Sequence, residues 1–228
     1  MKNNKRIKAT FSGCSGFKHL FPTSHCVVAV SVGQEANDGD RFKATLELVN
    51  NNFSECMILV GDSLQRHNLV FLENRFDNDI YQRSIDLGNE WMARNINSSN
   101  SLTIPHAIKR WDEWLKSPQF APLLDYVKHY YETNMILNDA VNSSINEFVS
   151  RIKTRQTPNN DIAIDVMINA SRNYLLEEIA ILVLMLPEEN YNYIIYPGKK
   201  IKALEASFSL LLKDGYKHLM QWVRVHNG

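Results

Sequence analysis

The chain has 228 residues, 44% of them hydrophobic and 22% charged, which is apolar material for one core of the larger single-domain size and too much for a disordered chain. No apolar run reaches the about 18 uncharged residues of a membrane span, and the basic start MKNNKRIKATF has no apolar stretch behind it, so the protein reads as cytoplasmic. Its 25 basic and 25 acidic residues cancel, so a nucleic-acid partner must be held by a local patch; the three cysteines, Cys14, Cys26 and Cys56, are too scattered for a disulfide framework or a metal site.

CVVAVSV (26–32) and CMILVG (56–61) are apolar runs without alternation, which predicts strands buried on both faces, as in a parallel sheet. Between them GDRFKATLELVNNN sets Phe42, Leu46 and Leu48 at roughly helical spacing and closes in asparagines that suit a C-cap, which completes a βαβ unit. DIYQRSIDLGNEWMARNI predicts a helix with Ile80, Leu87, Trp91 and Ile96 near one face, and SLTIP a short third strand. From Ala107 to about Ile152 the pattern is helical, broken at Ser117-Pro118. KTRQTPNN (153–160) reads as a linker, with Asp161 as the cap of a helix that runs through IAIDVMINASRNYLLEEIAILVLML and stops at Pro187. NYNYIIYPG predicts a strand broken at Pro197-Gly198, IKALEASFSLLLKDG a helix closed by Gly215, and LMQWVRV a last strand. The alternation predicts an α/β fold, one Rossmann-like domain over 1–228 with three α/β/α layers and a mostly parallel sheet.

In such a sheet the carboxyl ends of the strands face the ligand crevice, and Ser31 falls where CVVAV runs out. A-V-S-V-G also resembles a nucleophile elbow with alanine first. The hydrolase order does not follow: only 30 residues precede Ser31, and the histidines His67, His106, His129, His218 and His226 offer no evident triad. Tyr174 and Glu178, spaced i and i+4, share a helix face, and Glu177 points elsewhere. Because Glu178 opens a strongly apolar run, its carboxyl is expected to be partly buried with a raised pKa, suited to handling an amine proton; pairing with a core tyrosine or with Arg172 is the purely structural alternative. Tyr196 ends the strand YNYII, near the same crevice.

Strand-A-V-S-V-G with His25 six residues before the serine, then Y-x-x-x-E on a helix, then a strand ending in Y-P, together with RWDEWL mid-chain, resembles the tRNA-dependent cyclodipeptide synthases over most of the 228 residues. That resemblance implies a fold similar to the catalytic domain of class Ic aminoacyl-tRNA synthetases. It implies Ser31 as nucleophile, Tyr174 and Glu178 as holders of the substrate amino group, and Tyr196 as an aid to proton transfer. The family divides by an Asn after the S-x-G turn with Tyr-His at the strand end, or another residue there with Tyr-Pro. Gln34 with Tyr196-Pro197 resembles the second, X-Y-P, group.

The implied partners are two aminoacyl-tRNAs, with no cofactor, no ATP and no membrane, and the implied enzyme is a monomer. No H-I-G-H, K-M-S-K-S or Walker stretch occurs. The tRNA backbone could be met by Lys2, Lys5, Arg6 and Lys8, by Lys109 and Arg110, by Arg151, Lys153 and Arg155, or by Lys199, Lys200 and Lys202, although a solvated charged face explains each run at least as well. The helix around Arg83 to Arg94 lacks the arginine richness of the better-known branch. Val27, Ala29 and Ile194 line the strand faces beside Ser31 and Tyr196, and with Gly33, Gln34 and Pro197 they are the expected substrate-binding residues. Ala29, where the family commonly has glycine, points to a small first residue. Two other readings stay open: a serine esterase of unusual topology and a non-catalytic tRNA-binding module.

Overall fold

The two unalternating apolar runs become the centre of a six-stranded sheet, in the order β1-β6-β5-β2-β3-β4. The computed structural model describes residues 7–12, 18–73, 79–155, 164–191, 193–212 and 220–227. Cys14, Lys2, Lys5, Arg6, the linker residues 156–160, Asp161 and Gly215 lie outside the described residues. Strand β2 (His25–Ser31) pairs in parallel with β3 (Glu55–Gly61) on one side and with β5 (Tyr193–Pro197) on the other. β4 (His106–Arg110) continues beyond β3, and β6 (Met220–Asn227) beyond β5, both in parallel. β1 (Ile7–Ser12) closes the β6 edge and is the antiparallel strand.

Burial on both faces explains the lack of alternation in the central strands. One face carries Val27, Ala29, Met57, Leu59 and Ile194 into a core shared with α7 (Ile164–Ile179), and the other carries Cys26, Val28, Val30, Ile58 and Ile195 against α1 (Gly39–Asn50) and α3 (Asp79–Ser99). Helices on both faces of a mostly parallel sheet make the expected three-layer α/β fold. The chain builds β2, β3 and β4 outward in one direction, then returns to place β5 on the other flank of β2. The strand order therefore reverses between β2 and β5, and the carboxyl ends of those strands bound the crevice where α/β sheets hold their ligands.

Several boundaries differ from the sequence expectation. β1 was not anticipated. The third strand is His106–Arg110 rather than SLTIP, so the helical stretch begins at Trp111, as α4 (Trp111–Leu115). The stretch that follows is two helices, α5 (Phe120–Thr133) and α6 (Met135–Arg155), because Asn134 is extended and its Oδ1 accepts from the Leu137 amide at 3.0 Å as a cap. Residues 153–155, assigned to the linker, belong to α6. Pro187 does not end its helix: it sits in the first turn of the short α8 (Leu186–Glu188), where a missing N–H is tolerated, after a π-helical segment Ala180–Met185. On α3, Ile96 is exposed, and the inward stripe is Ile80, Ser84, Gly88, Trp91 and Asn95. No helix among the described residues is long and apolar enough to cross a membrane.

Candidate active site

Ser31 is the last residue of β2, half-buried, at the mouth of the reversal between β2 and β5. The chain turns at once: the Gln34 amide donates to the Ser31 carbonyl at 3.1 Å, and Gly33 takes φ +87°. A left-handed conformation at the third residue of such a turn suits glycine, which answers why glycine stands two residues after the serine. Gly33 and Gln34 are exposed on this turn.

Helix α7 presents Tyr174 across the crevice, its OH 3.3 Å from Ser31 Oγ. A further group meets both hydroxyls. Gln65 follows β3 in the sequence DSLQ, and its Nε2 donates to Ser31 Oγ at 3.2 Å and to Tyr174 OH at 3.4 Å. Sequence reasoning passed over Gln65, although its place four residues beyond a central strand, at the same sheet edge as Ser31, was a usable signal. Ser31 Oγ thus has Tyr174 and Gln65 as partners, not a histidine.

One turn along α7, buried Glu178 accepts from Tyr196 OH through Oε1 at 3.1 Å, while its Oε2 has no hydrogen-bond partner. The bond from Tyr196 is the core-tyrosine pairing that a purely structural carboxyl would also make, whereas Arg172, the other structural partner, donates to Asn169 at 3.0 Å and lies over the Tyr131 ring. Burial pushes the Glu178 carboxyl up to about 8, against the opposing hydrogen bond from Tyr196. Burial, and then the nearby Glu178 charge, hold the Tyr174 and Tyr196 hydroxyls well above the ordinary phenol range. At neutral pH the site is therefore two neutral phenols around a carboxyl that holds its proton. Tyr196 packs against Trp222, ring centroids 5.2 Å apart, and buried Pro197 ends β5 before Gly198, whose amide donates to the Val223 carbonyl at 3.1 Å.

Glu177, expected to point away, does leave the Glu178 face, but into a second buried site. It accepts from Arg66 Nη1 at 2.9 Å and from Trp111 Nε1 at 2.8 Å, and it lies 3.2 Å from His67 Nε2. Burial opposes its ionisation, yet His67 and Arg66 hold its carboxyl below the usual range. The RWDEWL stretch is this scaffold: Trp111 holds Glu177, Arg110 grips buried Asp62 at the end of β3, and Glu113 Oε1 caps the Arg110 amide at 2.9 Å. Gly88 of α3 leaves the room, since a Cβ there would stand 2.5 Å from Asp62 Oδ2.

Of the expected lining, Val27, Ala29 and Ile194 lie in the sheet face that also holds Tyr196. The basic residues are dispersed. Arg110 is committed to Asp62, Lys200 and Lys202 pair with Glu205 and Glu147 at 3.2 and 2.6 Å, and Lys109 lies over the Trp114 ring. Arg151 covers the Phe148 ring, whereas Lys8, Lys153 and Lys199 are exposed; of the Arg155 side chain nothing is described. Arg83 and Arg94 on α3 are engaged with Glu73 and Asp38. Among the described residues no group of three or more His, Cys, Asp and Glu side chains could hold a metal ion.

No family model and no curated protein matches the chain. Among solved structures it is similar to a cyclodipeptide synthase (CDPS) from Fluoribacter dumoffii, at 31% identity and a TM-score of 0.87, over 96% of this chain and 98% of that one. It is also similar to the cyclodipeptide synthase from Candidatus Glomeribacter gigasporarum bound to Phe-tRNAPhe, at 18% identity and a TM-score of 0.68, over 92% of this chain and 90% of that one. A third is a Mycobacterium tuberculosis protein whose structure relates cyclodipeptide synthetases to type I tRNA synthetases, at 10% identity and a TM-score of 0.70, over 98% of this chain and 94% of that one. The last two carry the fold alone.

Proposed function

This chain belongs to the cyclodipeptide synthase family, and from that premise we propose that it joins two aminoacyl groups, each delivered on a tRNA, into a 2,5-diketopiperazine through esters on Ser31. The observation that carries this reading is the Ser31–Tyr174 hydrogen bond at the strand reversal, with the Glu178–Tyr196 pair one helical turn away. An aminoacyl-tRNA is already an activated ester, so no ATP is required. Ser31 Oγ bonds to the acyl carbon, the bond from that carbon to the terminal ribose oxygen breaks, and the serine proton leaves with the tRNA. Backbone N–H groups at Val32 and Gly33 are our assignment for the tetrahedral oxyanion.

The amine of the aminoacyl-serine then attacks the ester of a second aminoacyl-tRNA, giving a dipeptidyl-serine and a second free tRNA. The new amino terminus attacks the Ser31 ester, closes the ring and returns the proton to Oγ. Each attack needs a neutral amine. In this scheme Tyr174 and Glu178 hold the amino group, and the ionised fraction of Glu178, a minority at neutral pH that grows as pH approaches 8, takes its proton through Tyr196. Gln34 and the Tyr196-Pro197 pair support assignment to the X-Y-P group. The tRNA-bound Glomeribacter synthase supports tRNA as the carrier; exposed Lys8, Lys153 and Lys199 are the remaining basic contacts of our scheme, on a monomer.

The test is to incubate the purified protein with total bacterial tRNA charged with amino acids and to analyse the products by mass spectrometry. A cyclic dipeptide formed by the wild type and not by Ser31→Ala is the expected result. Free amino acids as the sole products, released at a rate that depends on Ser31, would replace the synthase with the esterase reading. tRNA retained with no Ser31-dependent chemistry would leave a binding module.

A further inference from the structure

Ser31 is approached from two sides, and the ester scheme uses only one of them. Tyr174 comes from α7; Gln65 comes from the 3-10 turn Ser63–Gln65 that follows β3. The carboxamide of Gln65 is held at both ends. Its Oε1 accepts from Asn68 Nδ2 at 2.9 Å, which turns Nε2 toward Ser31 Oγ and Tyr174 OH. The segment is anchored too, because the next two residues, Arg66 and His67, both meet Glu177 on the same helix that carries Tyr174. Gln65 is 8% exposed, so it is built into the crevice rather than folded over it.

We infer that Gln65 is a positioning residue for the nucleophile, a role that rests on the acyl-transfer reading above. The hydrogen-bond inventory gives the reason. An amide nitrogen only donates, so Ser31 Oγ and Tyr174 OH each accept one bond from Nε2. A serine oxygen has two lone pairs. If Tyr174 also donated to Ser31, both would be occupied and none would remain to attack a carbonyl. With Gln65 in place the productive sense is the other one: Ser31 donates to Tyr174, and one lone pair of Oγ is left free. Tyr174 oxygen then accepts two bonds, and its own proton projects into the crevice, toward the position of the incoming ester or amine. Gln65 thus fixes the free lone pair of Ser31 and the outward proton of Tyr174 together.

Gln65→Met keeps the length and removes the donors. Single-turnover formation of the Ser31 ester, from total bacterial tRNA charged with the labelled amino acids found in the product, should slow by roughly 10- to 100-fold. Half-saturation with charged tRNA should stay at the wild-type concentration. In a Tyr174→Phe background the same change should cost clearly less, because the two residues act on one hydroxyl. Asn68→Ala, which frees the Gln65 carboxamide without touching Ser31, should slow ester formation by a smaller factor, roughly 3- to 10-fold; it decides the matter if Gln65→Met does not fold. Wild-type ester formation in Gln65→Met, or in a folded Asn68→Ala where Gln65→Met is unfolded, overturns the role of Gln65, as does a loss confined to half-saturation. A wild-type protein that forms neither Ser31 ester nor cyclic product overturns the acyl-transfer reading itself.

Discussion

Replacing Glu178 with glutamine should flatten the loss of stability that this protein suffers as pH rises. In the folded chain the carboxyl is moved from an ordinary 4.5 to about 8 by burial, and its Oε2 has no partner that would favour a charge. The folded state therefore keeps a proton that the unfolded state has released, and wherever the native state binds more protons stability falls with pH. The full window from 4.5 to about 8 corresponds, at about 1.36 kcal/mol per pH unit, to an upper bound of about 5 kcal/mol. Between pH 6 and pH 8 it amounts to about 2 kcal/mol, or about 4–8 °C of Tm for a chain of this size. Asp62, also raised by burial, contributes with the same sign, so the quantity to measure is the Tm of Glu178→Gln minus that of the wild type, by differential scanning fluorimetry at each pH. Glutamine retains an acceptor for Tyr196 and cannot ionise, so the difference should grow steadily from pH 6 to pH 8. A constant difference would mean that Glu178 is already ionised at pH 6 in the folded state, and the description of the site as a neutral cluster would fall.

The same Glu178→Gln protein should still form the Ser31 ester while its yield of cyclic product drops about 100-fold or more, because the amine steps lose their proton acceptor; intact-mass spectrometry and product analysis read the two separately, and an undiminished product yield would remove Glu178 from proton transfer. Arg66→Met strips the charge partner from buried Glu177 and should destabilise the protein by about 3–5 kcal/mol in urea, with a loss under about 1 kcal/mol showing that water replaces the guanidinium. Gly88→Ala forces a Cβ against Asp62 and Arg110 and should cost about 1–3 kcal/mol by the same assay, without changing the half-saturation for charged tRNA.

The layers of the fold were legible because the central strands are buried on both faces and so lose their alternation, as CVVAVS and CMILVG do. The edges were not. β4, HAIKR, has no buried residue and runs directly into the helix of RWDEWL, so its pattern merges with a helical one. β1 does alternate, with Ile7, Ala9 and Phe11 facing in more than Lys8 and Thr10, but the basic residues around it outweighed that signal. Edge strands carry little burial, and burial is what periodicity reports.

The site shows the same division. Ser31, Tyr174, Glu178 and Tyr196 were readable because each sits at a strand end or at a helical spacing that brings partners together. Glu177 was not, and Gln65 was passed over despite its place beyond β3. The inference that residues at i and i+4 define the working face, and that the next residue points away, assumes a helix with one buried side. On α7 Leu175, Leu176, Glu177, Glu178 and Ile179 are all buried in succession, since α2 (Arg66–Leu72) packs on one flank and the sheet core lies on the other. A helix closed in on both sides can carry buried carboxyls on two adjacent faces. Here it does so with opposite electrostatics, Glu177 charged and paired with Arg66, Glu178 neutral with one tyrosine. The paired Glu177 holds Arg66 and His67, and through them the turn that ends in Gln65, so the buried ion pair is what brings β3's loop against Ser31.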